Sequence, residues 1–377
     1  MKKLFSLVSL LMICSQAFAG PREVAWKMHN RIAGVPPTQD VLDDMTNTIS
    51  QGDPEAAAKI AMDNPAFYNI TLKNWIKPWS NRDQTPRVPM NDYVATILGV
   101  IRDDTPFDKI LYDDIIYIID NAALPVYSNT DNNHYRSAET QNIDFMNTLV
   151  VRKQSDTTGL PVAAIAGVTT TRNAGENYFS AGTNRRVNRF IFMNYLCKDY
   201  EDLHDITVPD FHVARDVERA PGGDSRTYKN RCVGCHAGQD GLRGAYAYYN
   251  FTGNRLEYTA GQVQGKMNQN NNFSQGFVTT SDEWINLWAT GQNASVGWRG
   301  AVSGTGAQSI GMMFAKSRAF SQCMARKVFK LVCMKEPVSS SEVSKISQLA
   351  TGFEFDNKYS MKDLIAKTSA GCVIDEN

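Results

Sequence analysis

The first half of the chain alternates short runs of apolar positions with clusters of Pro, Gly, Asn and Asp. Between residues 23 and 120, apolar residues recur three or four positions apart, which is the period of an amphipathic helix. The runs end at residues that favour turns or helix caps. This pattern predicts helices over residues 23–32, 38–50, 53–62, 66–75, 91–102 and 107–120. We therefore expect residues 20–150 to form a helical N-terminal domain.

The second half of the chain has a less regular pattern. Residues 121–186 contain polar loops rich in Thr, Asn and Gly, and we place a domain boundary within them. An apolar stretch over residues 189–200 predicts a helix, and the run Ala220-Pro221-Gly222-Gly223 predicts a turn before another helix that begins near Ser225. The fold class that follows is mainly α, with a second helical region over residues 151–377 that carries short β-hairpin or loop insertions.

The most specific signal in the chain lies in the second half, over residues 231–236. Here Cys232, Cys235 and His236 match the C-x-x-C-H pattern that attaches a c-type haem. Two thiols on one helical turn can each form a thioether with a haem vinyl group, and the histidine can bind the iron as its proximal ligand. The sequence therefore predicts one covalent haem c, which makes residues 151–377 a cytochrome c-like haem-binding domain.

Two other kinds of site could use the same cysteines. A zinc site needs a second Cys or His pair at ligand spacing, and the remaining cysteines contain no such pair. A thioredoxin-like dithiol is expected near a βαβ pattern, which the sequence around residue 232 does not show. The spacing favours haem over both.

The N-terminus predicts the compartment that haem c requires. Lys2 and Lys3 precede an apolar stretch from Leu4 to Ile13, and Ala17-Phe18-Ala19 forms a small-x-small cleavage site. We expect residues 1–19 to be a secretory signal peptide and the mature protein to be periplasmic, since haem c is attached outside the cytoplasm in Gram-negative cells. No segment approaches about 18 uninterrupted apolar residues, so no transmembrane span is expected.

Four more cysteines remain in the mature chain: Cys197, Cys323, Cys333 and Cys372. An even number in an oxidising compartment allows two disulfides, in one of three connectivities. The sequence does not choose among these connectivities. Alternatively, some of these cysteines are small buried hydrophobic residues.

Position in the sequence alone gives candidates for the sixth iron ligand and for the partners of the haem propionates. Met267 follows the motif by about 30 residues, in a loop, and is our candidate for the sixth iron ligand. Arg231 and Arg243 flank the motif and are candidates to pair with the haem propionates. Other residues could take the place of Met267 as sixth ligand: His212, Met312, Met313 and Met324.

The segment from Cys232 to Phe251 resembles the haem segment of the planctomycete-type cytochrome c-like family of secreted monohaem proteins. In that family, C-x-x-C-H is followed by an Asp-Pro-x-Gly turn, where this chain has Gly241 in place of the proline. Residues 163–197, with a Thr-rich turn and an Asn-Arg-Arg run, and residues 317–333 are similar to the flanks of that segment. The resemblance implies a mainly helical secreted haem protein and assigns no reaction.

Charge and size narrow the functions that a haem protein of this kind could have. The formal net charge is zero at pH 7 and no basic block is present, so no nucleic acid partner is expected. The haem motif predicts a carrier that passes single electrons to or from a periplasmic or membrane-associated redox protein. The alternatives are a haem enzyme, peroxidase-like or oxygen-handling, and a haem sensor with an open iron position.

The length of the chain bears on that choice. A bare electron carrier needs about 100 residues, whereas this chain has more than three times as many. The additional half therefore binds or organises something. A single C-x-x-C-H run argues against a two-haem peroxidase, which favours the electron carrier.

Overall fold

The computed structural model describes residues 20–375, so the predicted signal peptide over residues 1–19 lies outside the described residues. Helices account for 58% of residues and strands for 7%, which confirms the predicted mainly α fold with short β insertions. The helices of seven residues or more are α1 (Pro21–Ala33), α2 (Gln39–Ser50), α3 (Pro54–Met62), α4 (Asp92–Arg102), α5 (Asn133–Thr140), α6 (Arg185–Ile191), α7 (Val233–Leu242), α8 (Gly306–Ala315), α9 (Arg318–Cys333), α10 (Ser340–Thr351) and α11 (Met361–Asp375).

The strands form three antiparallel pairs. The pairs are β1 (Ile116–Ile119) with β2 (Leu149–Arg152), β3 (Tyr249–Thr252) with β4 (Arg255–Tyr258), and β5 (Glu283–Ile285) with β6 (Ser303–Thr305). Gly253 and Asn254 join β3 to β4, and both have positive φ, as a tight two-residue hairpin requires.

The prediction of one helix over residues 107–120 is wrong beyond Leu111. A short 3₁₀ turn covers Phe107–Leu111, and the chain then extends into β1. The run Ile-Tyr-Ile-Ile is β-branched and aromatic, and such side chains fit a pleated, half-buried strand well. β1 also packs on α4, so tertiary pairing overrides the helical spacing seen in the sequence.

The core joins the two ends of the chain. α11 packs against α3 and α9, and α1 contacts α2, α3 and α11. One cluster of buried apolar side chains extends from Val24 to Cys372, and β2 crosses the position between residues 150 and 151. The division at that position into two domains stays a prediction.

Four of the six described cysteines are paired. Cys197 pairs with Cys323 across Cα atoms 5.2 Å apart, and Cys333 pairs with Cys372 across 5.4 Å, both within the usual disulfide range. Of the three connectivities open to the sequence, the structure has this one. The first disulfide joins the segment after α6 to α9, and the second joins α9 to α11, so both fix the C-terminal helices.

Candidate haem site

The C-x-x-C-H run lies at the start of α7, a largely buried helix with several polar side chains. A π-helical turn over Tyr228–Cys232 leads directly into α7. Helical geometry brings residues three and four apart onto one face. The face that follows the motif contains Cys232, Cys235, His236, Gln239, Asp240 and Arg243. The three motif side chains and three further polar side chains therefore lie on one side of α7.

The opposite side of α7 is built from glycines. A Cβ atom at Gly238 would overlap the indole ring of Trp288, and one at Gly241 would lie 2.6 Å from the carbonyl oxygen of Ile285. Trp288 is fully buried. Because these positions lack side chains, the β5 segment and Trp288 pack directly on the backbone of α7. This packing leaves the polar face of the helix to define the site.

A cavity of about 580 Å³ opens on the polar face. This volume lies within the range of about 300–1,000 Å³ that is usual for cofactor and ligand sites. The side chains that line the cavity are Arg82, Arg185, Arg186, Arg189, Phe190, Asp199, Tyr200, Glu201, Cys235, His236 and Gln239. The cavity thus places one motif thiol and the motif imidazole beside aromatic side chains and four arginines.

The motif cysteines differ from the other four in having no disulfide. Cys232 and Cys235 are both free thiols and both partly buried. The Cys235 thiol lies 3.4 Å from the carbonyl oxygen of Tyr200. Burial, with the nearby carboxylates of Glu201 and Asp199, raises the pKa of the Cys235 thiol. A thiol with a raised pKa is protonated at neutral pH and reacts slowly.

Behind His236 lies a buried ionic chain. The imidazole Nδ1 of His236 is 3.4 Å from Oδ1 of Asp240. Asp240 accepts hydrogen bonds from Nε and Nη2 of Arg185, at 2.5 and 2.8 Å. Arg185 also donates to both oxygens of Asp216, at 2.6 and 2.8 Å. The guanidinium is therefore clamped between two carboxylates in bidentate geometry, the strongest form of this pair.

The pKa values of this chain follow from that pairing. Burial by itself would raise the pKa of Asp240, but the charge and hydrogen bonds of Arg185 hold it well below its usual range. Burial would lower the pKa of Arg185, and the two carboxylates raise it above its usual value. Burial would also raise the pKa of Asp216, and Arg185 holds it below its usual value. Asp240, Arg185 and Asp216 are thus all charged at neutral pH.

The remaining arginines of the cavity divide into two kinds. Arg189 forms a bidentate pair with Asp199, at 2.8 and 2.7 Å. Arg82 and Arg186 instead donate to backbone carbonyls, Arg82 to Asn177 at 2.5 Å and Arg186 to Ser180 at 3.0 Å. The charge of Arg82 adds to burial in lowering the pKa of Arg186. These two cations lie side by side and repel each other.

The residues predicted to surround the haem are only partly brought together. Met267 is fully buried and does not line the cavity, and its carbonyl accepts a hydrogen bond of 3.2 Å from Arg243. Arg243 also donates to Thr279 and is fully buried, and its Nε and Nη1 atoms have no partner among the described residues. Burial lowers the pKa of Arg243 to about 10. Arg231 is exposed. The roles assigned to these three residues stay predictions.

The alternative sixth ligands lie elsewhere. His212 lines a second cavity of about 400 Å³ with Phe277 and Trp284. Met313 is buried, and its sulfur lies 3.4 Å from Nδ2 of Asn286. Met312 and Met324 belong to α8 and α9, and Met324 is fully buried in the core. Among the described residues that line the first cavity, His236 is the one histidine and there is no methionine.

Several residues of the site were not identified as candidates from the sequence. Asp240 has a signal in hindsight, since its position four residues after His236 places it on the same helical face. Arg185 and Arg186 belong to the Asn-Arg-Arg run, which supports the resemblance to the cytochrome c-like family but indicated no role for either arginine. Nothing in the sequence points to Asp216, which reaches Arg185 from a separate loop.

Two properties of the described residues bear on the kind of site this is. No helix among residues 20–375 is long and apolar enough to cross a membrane. Within the same residues, no three His, Cys, Asp or Glu side chains are arranged to hold a metal ion.

Comparisons with known proteins leave the family of this chain open. No family model matches the chain, and no curated protein or solved structure matches it either. The resemblance to the planctomycete-type cytochrome c-like family therefore stays a prediction, and the geometry of α7 and its cavity is the basis for assigning a function.

Proposed function

We propose that the chain is a periplasmic c-type cytochrome with one haem attached to Cys232 and Cys235, and that it transfers single electrons to or from a partner redox protein. The observation that carries this proposal is the selective state of the cysteines. The four cysteines outside the motif form two disulfides, while the two in the motif are free. Thioether formation requires free thiols, and the proposed oxidising compartment favours disulfides for cysteines that are not used in another way.

The size and the lining of the cavity support this proposal. Its volume of about 580 Å³ and its contact with Cys235 and His236 place room for a cofactor next to the motif. Phe190 and Tyr200 offer apolar surface. Arg82 and Arg186, the two cations held by carbonyls rather than by carboxylates, would neutralise the propionates.

Each residue then has a defined task. Cys232 and Cys235 would hold the cofactor covalently, and His236 would bind the iron through Nε2, because Nδ1 faces Asp240. Trp288 and the glycine face fix α7 from behind, so the imidazole does not move with a loop. When bound, the haem supplies one-electron redox chemistry at its iron.

A second candidate function follows from the walls of the cavity. The residues that line it with His236 are arginine, carboxylate, aromatic, amide and thiol side chains. Neither histidine nor methionine, the usual sixth ligands of electron-transfer haems, stands opposite His236 in this set. This composition favours an open iron position, as in a haem enzyme or sensor.

The experiment compares the purified protein with motif variants, all produced together with a c-type haem maturation system. Cys232→Ser, Cys235→Ser and His236→Ala should each abolish covalent haem or its normal spectrum. The double variant Cys333→Ser/Cys372→Ser, which removes two cysteines outside the motif, should keep both. A motif variant with the wild-type pyridine haemochrome and Soret band would overturn the site assignment.

Carbon monoxide separates the two candidate functions. The electron carrier predicts a low-spin spectrum that carbon monoxide does not change, because both axial positions are occupied. A high-spin spectrum that shifts with carbon monoxide would show an open iron position and select the second candidate. If Met267 is the sixth ligand, its replacement should remove the methionine–iron charge-transfer band.

A further inference from the structure

We propose that Asp240 is a positioning residue that fixes the imidazole of His236 and holds the reduction potential of the bound haem low. This inference rests on the proposed function, since it concerns the ligand that the haem would use. It goes further by naming the group that sets the redox property of the site.

The first support is the setting of Asp240. Its side chain is fully buried, and its two oxygens face three different elements of the fold. Oδ1 faces His236 on its own helix, Arg185 approaches from α6, and the backbone N–H of Ala214 donates to Oδ2 at 2.9 Å. A carboxylate held from three sides cannot rotate away from the imidazole.

The second support is the fixed state of its counter-ion. Arg185 is itself held by Asp216 and by the hydroxyl of Thr183, which accepts a hydrogen bond of 2.7 Å. Asp240 therefore faces a guanidinium that is shared with a second carboxylate. The Asp240 carboxylate is thereby kept in a fixed position beside His236.

A second buried cation, Arg243, does not contact the Asp240 carboxylate through a hydrogen bond. Arg243 lies one turn further along the helix, and its hydrogen bonds go to the carbonyl of Met267 and the hydroxyl of Thr279. The charged group that His236 contacts directly is thus the Asp240 carboxylate.

The chemical consequence follows from the position of the carboxylate. A histidine ligand that donates its second N–H to a carboxylate becomes more basic and donates more electron density to its metal. Stronger donation stabilises the ferric state over the ferrous state, so the reduction potential falls. Outer hydrogen bonds of this kind are one of the levers by which a protein sets a haem potential.

A purely structural role for Asp240 is the competing explanation, because the residue also holds α6 and the segment at Ala214 to α7. The chain offers a matched control in Asp216, which pairs with the same arginine and does not contact His236. Asp240→Asn and Asp216→Asn each remove one carboxylate charge from Arg185. They differ in whether that carboxylate lies behind the imidazole.

The test is a redox titration of haem-loaded wild-type protein and both variants. We expect Asp240→Asn to favour the reduced state at least tenfold more than wild type does, a positive shift of about 59 mV for one electron. Asp216→Asn should shift the equilibrium by less than about threefold, because the Arg185 guanidinium lies between its carboxylate and Asp240. Asp240→Glu, which keeps the charge, should recover part of the wild-type potential.

The outcomes separate this inference from the proposed function. Wild-type protein without covalent haem would overturn the proposed function. Covalent haem with equal shifts in Asp240→Asn and Asp216→Asn would overturn the role of Asp240 alone. If Asp240→Asn does not fold or retain haem, Arg185→Lys gives a second test. It keeps the positive charge but removes the bidentate hold that keeps the Asp240 carboxylate beside the imidazole, so the potential should become more positive, and an unchanged or more negative potential would contradict the inference.

Discussion

α4 and α7 are both buried on nearly all sides, yet they are buried by different means. α4 fills its surroundings with apolar side chains, and its residues from Asp92 to Ile101 are all buried. α7 has glycines on one face and ionisable groups on the other. The first helix gains stability from apolar area removed from water. The second depends on close backbone packing and on paired charges. Ionisable side chains therefore line the cavity beside this helix.

The difference shows what the paired charges around α7 require of this fold. A buried carboxylate or guanidinium destabilises the protein unless its partners are in place. α7 meets that requirement with residues from separate parts of the chain, such as Arg185 and Asp216. Substitutions that remove these partners should therefore affect stability more than substitutions of exposed pairs nearby.

The largest expected effect is for Arg185→Met. The change leaves Asp240 and Asp216 without their counter-ion, and breaking a buried pair costs about 3–5 kcal/mol. Arg189→Met is the control, because Arg189 is about half exposed and pairs with a partly exposed Asp199, so its loss should cost less than about 1 kcal/mol. Urea unfolding of the two variants measures both free energies. Equal losses would mean that the clamp is not a distinctive feature of the site.

A smaller loss is expected when the glycine face is disturbed. In Gly238→Ala the new methyl group would overlap the Trp288 indole, and overpacking of this kind costs about 1–3 kcal/mol. Gly265→Ala is the matched control, because its Cβ would meet nothing within 4 Å. The free energy of unfolding of both variants, together with their haem content, tests the close packing of α7. A fully stable Gly238→Ala variant would contradict it.

The smallest effect concerns a cation outside the site. Lys327 on α9 lies 4.6 Å from the centre of the Trp79 ring, and burial, with the charge of Lys330, lowers the pKa of Lys327 to about 8. Between that value and the ordinary lysine pKa of about 10.4, the unfolded chain binds more protons than the folded chain. The unfolding free energy should therefore rise with pH across this window.

Lys327→Met should remove that rise and stabilise the protein at pH 7 by about 1 kcal/mol, since part of the burial cost is offset by the contact with Trp79. Thermal or urea unfolding at neutral and alkaline pH measures the change. Arg326→Met is the control, because Arg326 lies on the same helix, is about half exposed and is paired with Glu336. A pH dependence that survives in Lys327→Met would show that other groups cause it.

Much of the fold could be predicted because the helices near the N-terminus follow local rules. Thr38, Asp53 and Asn91 cap their helices through side-chain hydrogen bonds, as their positions predict. The strand at Ile116 was missed because its partner lies more than 30 residues away in the sequence. Pairing over such a distance leaves no local pattern.

The site divides in the same way. Cys232, Cys235 and His236 could be proposed from the sequence because haem attachment requires fixed local spacing. Asp216 could not, because it meets Arg185 only through the tertiary fold. The disulfide connectivity had the same limit, since the distances between cysteines are set by how α9 and α11 pack.

Mass spectrometry of the haem-loaded mature protein tests the central claim most directly. The peptide that contains residues 231–236 should carry one haem, joined through both Cys232 and Cys235, with one iron per chain. Cys197, Cys323, Cys333 and Cys372 should appear in disulfide-linked peptides. An unmodified peptide with free or disulfide-bonded Cys232 and Cys235, from cells that attach haem to other c-type cytochromes, would contradict the account.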